Sequence, residues 1–350
     1  MLVRRAAHAA TWLGLCLAPA LGWSASSTTA TLCVWDPIGS GGPISEGAKD
    51  YALAMQKQGV DLIIKSHTDE RVASEEFRVG ACDGLMATSL RTKPYNAVTA
   101  AMDYGGVATI VRNGAVDMAA SYQVIHKALQ VFASPAAAKL NVQDRYEVAG
   151  IVPFGPIYTW VRDRTLFKRG FAGTRMPAFD HDKAQAHVIA LIGAQPVSAD
   201  TRNFANKFNN GGLDVIFAPA VAYRPLEINK GVGTQGGVSR LPLAFSTMQI
   251  VVTRSKFPEG FGDKSRQYWL DNYEPVMNSV RKAEADVPAA LWVDFAPEEA
   301  AAFVASQRDM RIELANKGFY NKQGLKLMKR VRCSVHSAAA ECSNQAEIDW

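Results

Sequence analysis

Arg175 is the side chain of this sequence that is best suited to hold a small anion. It stands just inside an expected strand, close to Pro177, which cannot take part in a central ladder. A planar guanidinium binds a carboxylate through two parallel hydrogen bonds. Arg175 could instead form an internal ion pair with an acid such as Asp180 or Asp214, so both roles stay open.

Other polar and aromatic side chains stand where further strands are expected to end. Ser89 and Arg91 follow an apolar run that starts near Cys82, and their hydroxyl and guanidinium groups could reach a polar ligand. Ser40 lies in a glycine-rich segment between a strand and a helix, which is either a plain tight turn or a wall of a ligand cleft. Trp160 is interpreted as a packing residue or a stacking wall, and Arg91 could equally be a surface arginine.

The usual motifs of catalysis are missing from the sequence. It contains no Gly-x-Ser-x-Gly elbow and no His-Glu-x-x-His motif. Asp180-His181-Asp182 resembles a metal cluster most closely, but it stands before an expected helix and is interpreted as a helix cap with solvated neighbours. We therefore expect a binding protein with no catalytic residue, no cofactor and no metal.

The elements that would position Arg175 lie between Phe171 and Pro219. Apolar residues there follow the periods of a strand, a helix, a short strand, a helix and a strand. This order predicts parallel strands linked by crossover helices. Strand ends in such sheets point into a crevice where small ligands bind.

Three short motifs in this region resemble the core of TRAP-type periplasmic solute receptors. They are Gly173-Thr174-Arg175-Met176-Pro177, Gly193-Ala194-Gln195-Pro196-Val197 and Gly211-Gly212-Leu213-Asp214. As an order of elements, the resemblance extends from about Cys33 to Tyr268. It implies an α/β protein of the type II periplasmic binding protein fold, with two lobes, mixed sheets, flanking helices and a hinge.

The resemblance also implies how the chain is divided and where the hinge lies. The stretch 241–252 should return the chain to the first lobe and act as the hinge. The expected parts are a signal peptide at 1–25, lobe I at 26–155 and 245–275, and lobe II with the C-terminal helices at 156–244 and 276–350.

By the same resemblance, Arg175 pairs with the carboxylate of a small organic acid. The other ligand contacts expected from the sequence are Ser40, Ser89, Arg91, Trp160 and Asp214. The solute would be delivered to integral membrane transporter subunits. The sequence departs from the family at Val215 and Ala218, where a glycine and a ligand-facing asparagine are usual. These departures support an alternative, a ligand-independent periplasmic adaptor or accessory protein of a transport or efflux system.

The composition and the N-terminus indicate an exported protein. The chain has 350 residues, is 48% hydrophobic and carries a net charge of +5 without basic clustering typical of nucleic-acid binding, so no nucleic-acid partner is expected. Arg4 and Arg5 precede a short apolar run and small residues, the pattern of a secretory signal. We therefore expect the protein in the periplasm.

Four cysteines follow the expected signal peptide, and an even number in an exported chain suggests disulfides. Cys333 and Cys342 are close in sequence, so their loop closes easily. Cys33 and Cys82 begin strands that could be neighbours in a parallel sheet. The predicted pairs are Cys33–Cys82 and Cys333–Cys342, with a zinc site as the weaker alternative.

Overall fold

The computed structural model describes residues 27–343, so the expected signal peptide at 1–25 lies outside the described residues. None of the helices in this range combines the length and apolarity that crossing a membrane requires. The strands are β1 Thr28–Trp35, β2 Val60–His67, β3 Gly84–Thr88, β4 Val111–Arg112, β5 Ala115–Val116, β6 Val142–Gln143, β7 Tyr146–Val161, β8 Arg175–Phe179, β9 Gln195–Ala199, β10 Val215–Pro219, β11 Gly237–Ser239, β12 Ala244–Thr253 and β13 Trp292–Val293. The α-helices are α1 Pro43–Gln56, α2 Glu70–Arg78, α3 Ser89–Thr92, α4 Met118–Ala133, α5 Leu166–Arg169, α6 Lys183–Leu191, α7 Phe204–Asn209, α8 Ile228–Val232, α9 Phe261–Asp271, α10 Tyr273–Ala285, α11 Pro297–Asn316 and α12 Lys322–Val335.

The main sheet is mixed, with the strand order β13-β11-β7-β12-β3-β1-β2 and with β6 and β10 also paired to β7. Strand β1 is parallel to both β2 and β3, as expected when helices connect successive strands. Strand β12 runs antiparallel to β3 and to β7. The long strands β7 and β12 therefore connect the part of the sheet around β1, β2 and β3 with the part around β10 and β11.

Strand β7 is long and continuous, although Pro153 and Pro156 lie within it. Its register against β12 shifts between Ser246 and Thr247. Gly155 lies at this irregularity with φ +112°, a value that L side chains rarely adopt. Pro153 and Pro156 flank it, and a bulge is one of the places where a strand tolerates proline.

The central stretch folds as the sequence predicts. It forms β8, α6, β9, α7 and β10 in that order. Strands β8 and β9 are parallel, with Arg175 opposite Gln195 and Phe179 opposite Ala199. Strand β10 joins the main sheet instead, antiparallel to β7. Asp182 caps α6 by accepting hydrogen bonds from the amides of Ala184 and Gln185, which is the role expected for it.

The buried apolar residues form two groups of clusters, one in each lobe. Phe77, Leu85 and Phe132 belong to the first lobe, whereas Trp160 and Phe208 belong to the second. The C-terminal helix α12 differs from the predicted division, which placed 276–350 in lobe II. Its apolar face packs in the first-lobe cluster, with the buried residues Leu325, Met328 and Val331. The chain therefore returns to the first lobe at its end.

Two disulfides join the cysteine pairs that the sequence predicts. Cys33 lies in β1 and Cys82 lies two residues before the neighbouring strand β3, with their sulfurs 2.05 Å apart. Cys333 at the end of α12 is joined to Cys342, with sulfurs 2.02 Å apart. The first bond connects positions 49 residues apart, so it fixes the start of the first lobe.

Candidate ligand cavity between the lobes

A cavity of about 580 Å³ lies between the two lobes and is lined from both. Its size lies within the range typical of small-molecule sites. The floor is formed by β7 and β12, through Phe154 and Ile157 of β7 and through 244–246 of β12. The first lobe contributes the end of β1, the start of α1 and the segment around Thr88. The second lobe contributes α6 and the strand ends near Met176 and Phe217.

Most of the cavity wall is apolar, and much of it is aromatic. Trp35 and Phe154 meet edge to face with ring centroids 6.5 Å apart, and Phe179 meets Phe204 in the same way at 5.9 Å. Such a wall favours a ligand with a large apolar surface, because each Å² removed from water contributes about 25 cal/mol. The aromatic lining residues are Trp35, Phe154, Phe171, Phe179, Phe204, Phe217, Phe245, Phe303 and Tyr320.

Arg175 is not in this wall. Its Nε and Nη2 donate to the two carboxylate oxygens of Asp214, at 3.0 and 2.6 Å, and its backbone amide donates to the same carboxylate at 2.8 Å. The hydrogen bond and charge of Arg175 hold the pKa of Asp214 below its usual value. Arg175 and Asp214 were expected to contact a ligand. In the structure they bind each other, which is the internal ion pair that the sequence had left open. The physical reason is that a carboxylate of the chain fills the guanidinium fork.

The glycine-rich turn lines the cavity only at its flanks, through Pro37, Ile38 and Pro43. Ser40 itself is exposed outside the wall, and its carbonyl accepts a hydrogen bond from Lys49. The start of α1, where a ligand anion could bind, is already occupied by the chain. The buried carboxylate of Asp36 accepts hydrogen bonds from the amides of Ile38 and Ser45, at 2.9 Å each.

Trp160 is a packing residue, one of the two roles expected for it. Its side chain is completely buried, and its indole N–H donates to the carbonyl of Ala218 at 2.9 Å. Its ring stacks on Tyr223 at 5.4 Å between centroids. The side chain of Ala218 is equally buried, so the position where the family has a ligand-facing asparagine belongs here to the core.

Ser89 and Arg91 lie behind the wall rather than in it, since the neighbouring residues Thr88 and Leu90 form the lining. Ser89 is buried and donates a hydrogen bond to Asp103. The Nε of Arg91 lies 3.7 Å from a carboxylate oxygen of Glu70, whose side chain is fully buried. Burial raises the pKa of Glu70, and the hydrogen bonds from Thr88 and the nearby Arg91 oppose this.

Asp103 is the site residue that the sequence analysis missed. It ends the 3-10 turn Thr99–Asp103 and contributes to the cavity wall. Its carboxyl oxygens accept hydrogen bonds from the Thr247 amide at 2.8 Å and the Thr247 hydroxyl at 2.7 Å. Desolvation by burial raises its pKa to about 8, although these donors act in the other direction. No sequence motif marks it, because its surroundings come from β12, 144 residues further along the chain.

The one cationic side chain among the described residues of the wall is Arg311, and it is engaged by the protein. It donates to the carbonyl of Gly105 at 3.1 Å and to the carboxylate of Glu341 at 3.3 Å. Burial opposes ionisation of Glu341, but Arg332 and Arg311 outweigh it and lower its pKa. The carboxyls of the wall are Asp36, Asp103 and Asp182, so acidic groups outnumber the one arginine.

The described range 27–343 contains one group of side chains close enough to one another to be considered as metal ligands. The group is Cys33, Glu76 and Cys82, and its two sulfurs are joined in a disulfide. Asp180 accepts a hydrogen bond from Ser198, and burial lowers the pKa of the adjacent His181 to about 4. Of the three residues 180–182, Asp182 caps α6, whereas Asp180 is engaged by Ser198 of β9.

The fold places the chain in the class of two-lobe folds that includes periplasmic solute-binding proteins of TRAP type. Two solved structures share it, each at low sequence identity, so the likeness concerns the fold. One is a TRAP periplasmic solute-binding protein from Desulfovibrio salexigens with bound orotic acid, with a TM-score of 0.67, 13% identity, and coverage of 88% of this chain and 100% of that chain. The other is the periplasmic ectoine-binding protein of the TeaABC TRAP transporter of Halomonas elongata, with a TM-score of 0.64, 9% identity, and coverage of 89% and 100%.

Within that class, the chain belongs to the solute-binding protein AdeT 1/2 family, whose pattern matches residues 52–347. A relative from Acinetobacter baumannii, described as the probable solute-binding protein AdeT1, is 35% identical over 313 residues. The match covers 89% of this chain and 99% of the relative. The resemblance inferred from the three motifs is thus confirmed at the level of family and fold.

Proposed function

We propose that this protein is a periplasmic receptor that encloses a small organic solute between its lobes and presents it to the subunits of a membrane transporter. The observation that carries the proposal is the cavity of about 580 Å³, lined from both lobes above the strands β7 and β12. The secretory pattern at the N-terminus supports export, and the TRAP-type fold supports a membrane partner. We assign no catalytic role to any residue.

The bridge between the lobes supports a closing motion. Strands β7 and β12 share the register shift beside Gly155, where the positive φ relieves the regular strand geometry. Hinges absorb backbone changes at a few such positions. Closure over a solute would remove water from the apolar walls and strengthen the polar contacts inside.

The test combines a ligand screen with solution scattering. A set of small carboxylates, including orotate, is screened by thermal shift beside neutral and cationic organic molecules of similar size. We expect at least one compound to raise the melting temperature and to reduce the radius of gyration. The variant Val188→Trp, which fills the cavity from α6, should abolish both effects. The exposed Val79→Trp in the first lobe adds the same side chain outside the cavity and should leave both unchanged.

A ligand-independent adaptor is the second candidate. The buried positions of Val215 and Ala218 and the internal pairing of Arg175 favour it, because the usual carboxylate contacts are used by the protein itself. This candidate predicts no thermal shift with any compound and no change in scattering. It also predicts a stable protein partner in a pull-down from periplasmic extract.

A further inference from the structure

The charged groups around the cavity that could attract an anion are engaged by the protein, although the buried indole N–H of Trp35 in the wall has no hydrogen-bond partner among the described residues. Arg175 is held by Asp214, Arg311 donates to Glu341, and the Ser45 amide in the first turn of α1 donates to Asp36. Within the described residues, no lysine or histidine contributes to the wall. An incoming carboxylate would therefore lose its water without gaining a charged partner, which is strongly unfavourable.

The acidic groups of the wall are Asp36, Asp103 and Asp182, of which Asp36 is buried and the other two are partly buried. Asp36 and Asp182 are used as caps by backbone amides. Asp103 accepts hydrogen bonds from Thr247 and Ser89, yet its carboxyl reaches the cavity and is held in an environment of low polarity. A nearby positive charge would stabilise its ionised form.

The aromatic side chains of the wall also attract positively charged ligands. Ring faces carry negative charge and attract cations that have lost part of their water. Trp35, Phe154 and Phe245 line the cavity together with Asp103. A bulky cation with a weakly hydrated charge would gain from these rings and from the burial of its apolar surface.

From this balance of charges and surfaces, and resting on the proposed receptor function, we propose that the cavity binds predominantly apolar organic cations, with Asp103 as the acidic partner. A small hydrophilic carboxylate is disfavoured by the same wall. Positively charged and mainly hydrocarbon, the ligand class differs from the organic acid expected from the sequence.

The test uses three probes that differ mainly in charge. Tetraphenylphosphonium and tetraphenylborate have nearly the same shape and opposite charges, and Nile red is neutral and apolar. Binding to the mature protein is measured by calorimetry and fluorescence at pH 8.5, where Asp103 is largely ionised because its pKa is about 8. We expect the phosphonium to bind at least about tenfold more tightly than the borate, about 1.4 kcal/mol.

Two variants assign the effect to the cavity and to Asp103. Val188→Trp should abolish binding of all three probes, and Val79→Trp should leave it intact. Asp103→Asn removes the charge at nearly constant size and should erase most of the phosphonium preference while Nile red binds as before. Asp103→Glu, which keeps the charge, should retain it. A preference that survives in Asp103→Asn would contradict the assigned role of this residue.

The outcomes separate this inference from the proposed function. If Nile red binds in a manner abolished by Val188→Trp but the borate equals or exceeds the phosphonium, the cation inference fails and the receptor function stands. If none of the probes and no screened compound binds the wild type, both fail. The comparison of phosphonium with borate needs no variant, so it remains decisive even if a substitution prevents folding.

Discussion

At the scale of single residues, the position of a charge matters less than the partner that holds it. Arg175 has the residue type, the strand and the neighbours expected of a carboxylate ligand, but the carboxylate that it binds is Asp214 of the same chain. That partner lies 39 residues away, and a sequence motif does not show which of two acids the side chain will reach. Arg175 therefore illustrates a limit of motif transfer.

This geometry predicts a modest effect of Arg175→Ala. The side chain is 41% exposed, so its ion pair should contribute about 0.5–1 kcal/mol to stability. We expect a small decrease in the free energy of unfolding and unchanged affinity for the compounds that shift the wild type. Denaturant melts and calorimetry measure the two quantities, with Arg78→Ala, which removes another exposed pair, as the control. A loss of affinity of tenfold or more at unchanged stability would restore Arg175 as a ligand residue.

The raised pKa of Asp103 predicts that the stability of the protein depends on pH. Asp103 titrates near 3.8 in the unfolded chain and near 8 in the folded protein. Between these values the folded protein holds a proton that the unfolded chain has released, so the contribution to stability is full below about pH 4 and is lost as the pH rises through 8. Glu70 also has a raised pKa, so its titration must be separated from that of Asp103.

The measurement is the difference in melting temperature between wild type and Asp103→Asn from pH 5 to pH 9. The wild type should lose several degrees relative to the variant over this range, since about 1 kcal/mol corresponds to a few degrees. The contribution of Glu70 cancels in this difference. A constant difference across the range would show that Asp103 is ionised in the folded protein.

At the scale of elements, regular patterns were predictable from the sequence and long-range partners were not. The order β8, α6, β9, α7 and β10 follows from apolar periodicity over local windows. The continuity of β7 through Pro153 and Pro156 depends on its pairing with β12 across a bulge, which a local window of sequence does not show. The cavity wall combines side chains from both lobes, so the sequence showed its strand ends but neither Asp103 nor its aromatic character.

Helix α1 gives an element-scale prediction at Gly42. A Cβ added there would lie 2.2 Å from the carboxylate of the buried Asp36, which holds the start of the helix. Gly42→Ala should therefore lower the free energy of unfolding by about 2–3 kcal/mol through overpacking and weakened hydrogen bonds. Gly47→Ala, inside the same helix with open space around its Cβ, should instead raise stability by up to about 1 kcal/mol. Equal effects of the two changes in denaturant melts would contradict this role of Asp36.

At the scale of the whole molecule, two lobes connected by β7 and β12 enclose a cavity that neither lobe forms alone. Helix α11 belongs to this enclosure, because Phe303 and Met310 line the cavity, and the following helix α12 packs on the first lobe. The C-terminal segment therefore connects the wall of the cavity to the first lobe. We therefore expect a change in the opening between the lobes to displace this segment as well as the hinge.

The bond between Cys33 and Cys82 has a practical consequence for the laboratory. It joins the first strand, β1, to the segment that leads into β3. The first lobe is therefore assembled around a disulfide bond. Protein produced in a reducing cytosol would begin to fold without this disulfide bond. Export to an oxidising compartment, or refolding in a glutathione redox buffer, is therefore the appropriate preparation for every binding measurement described above.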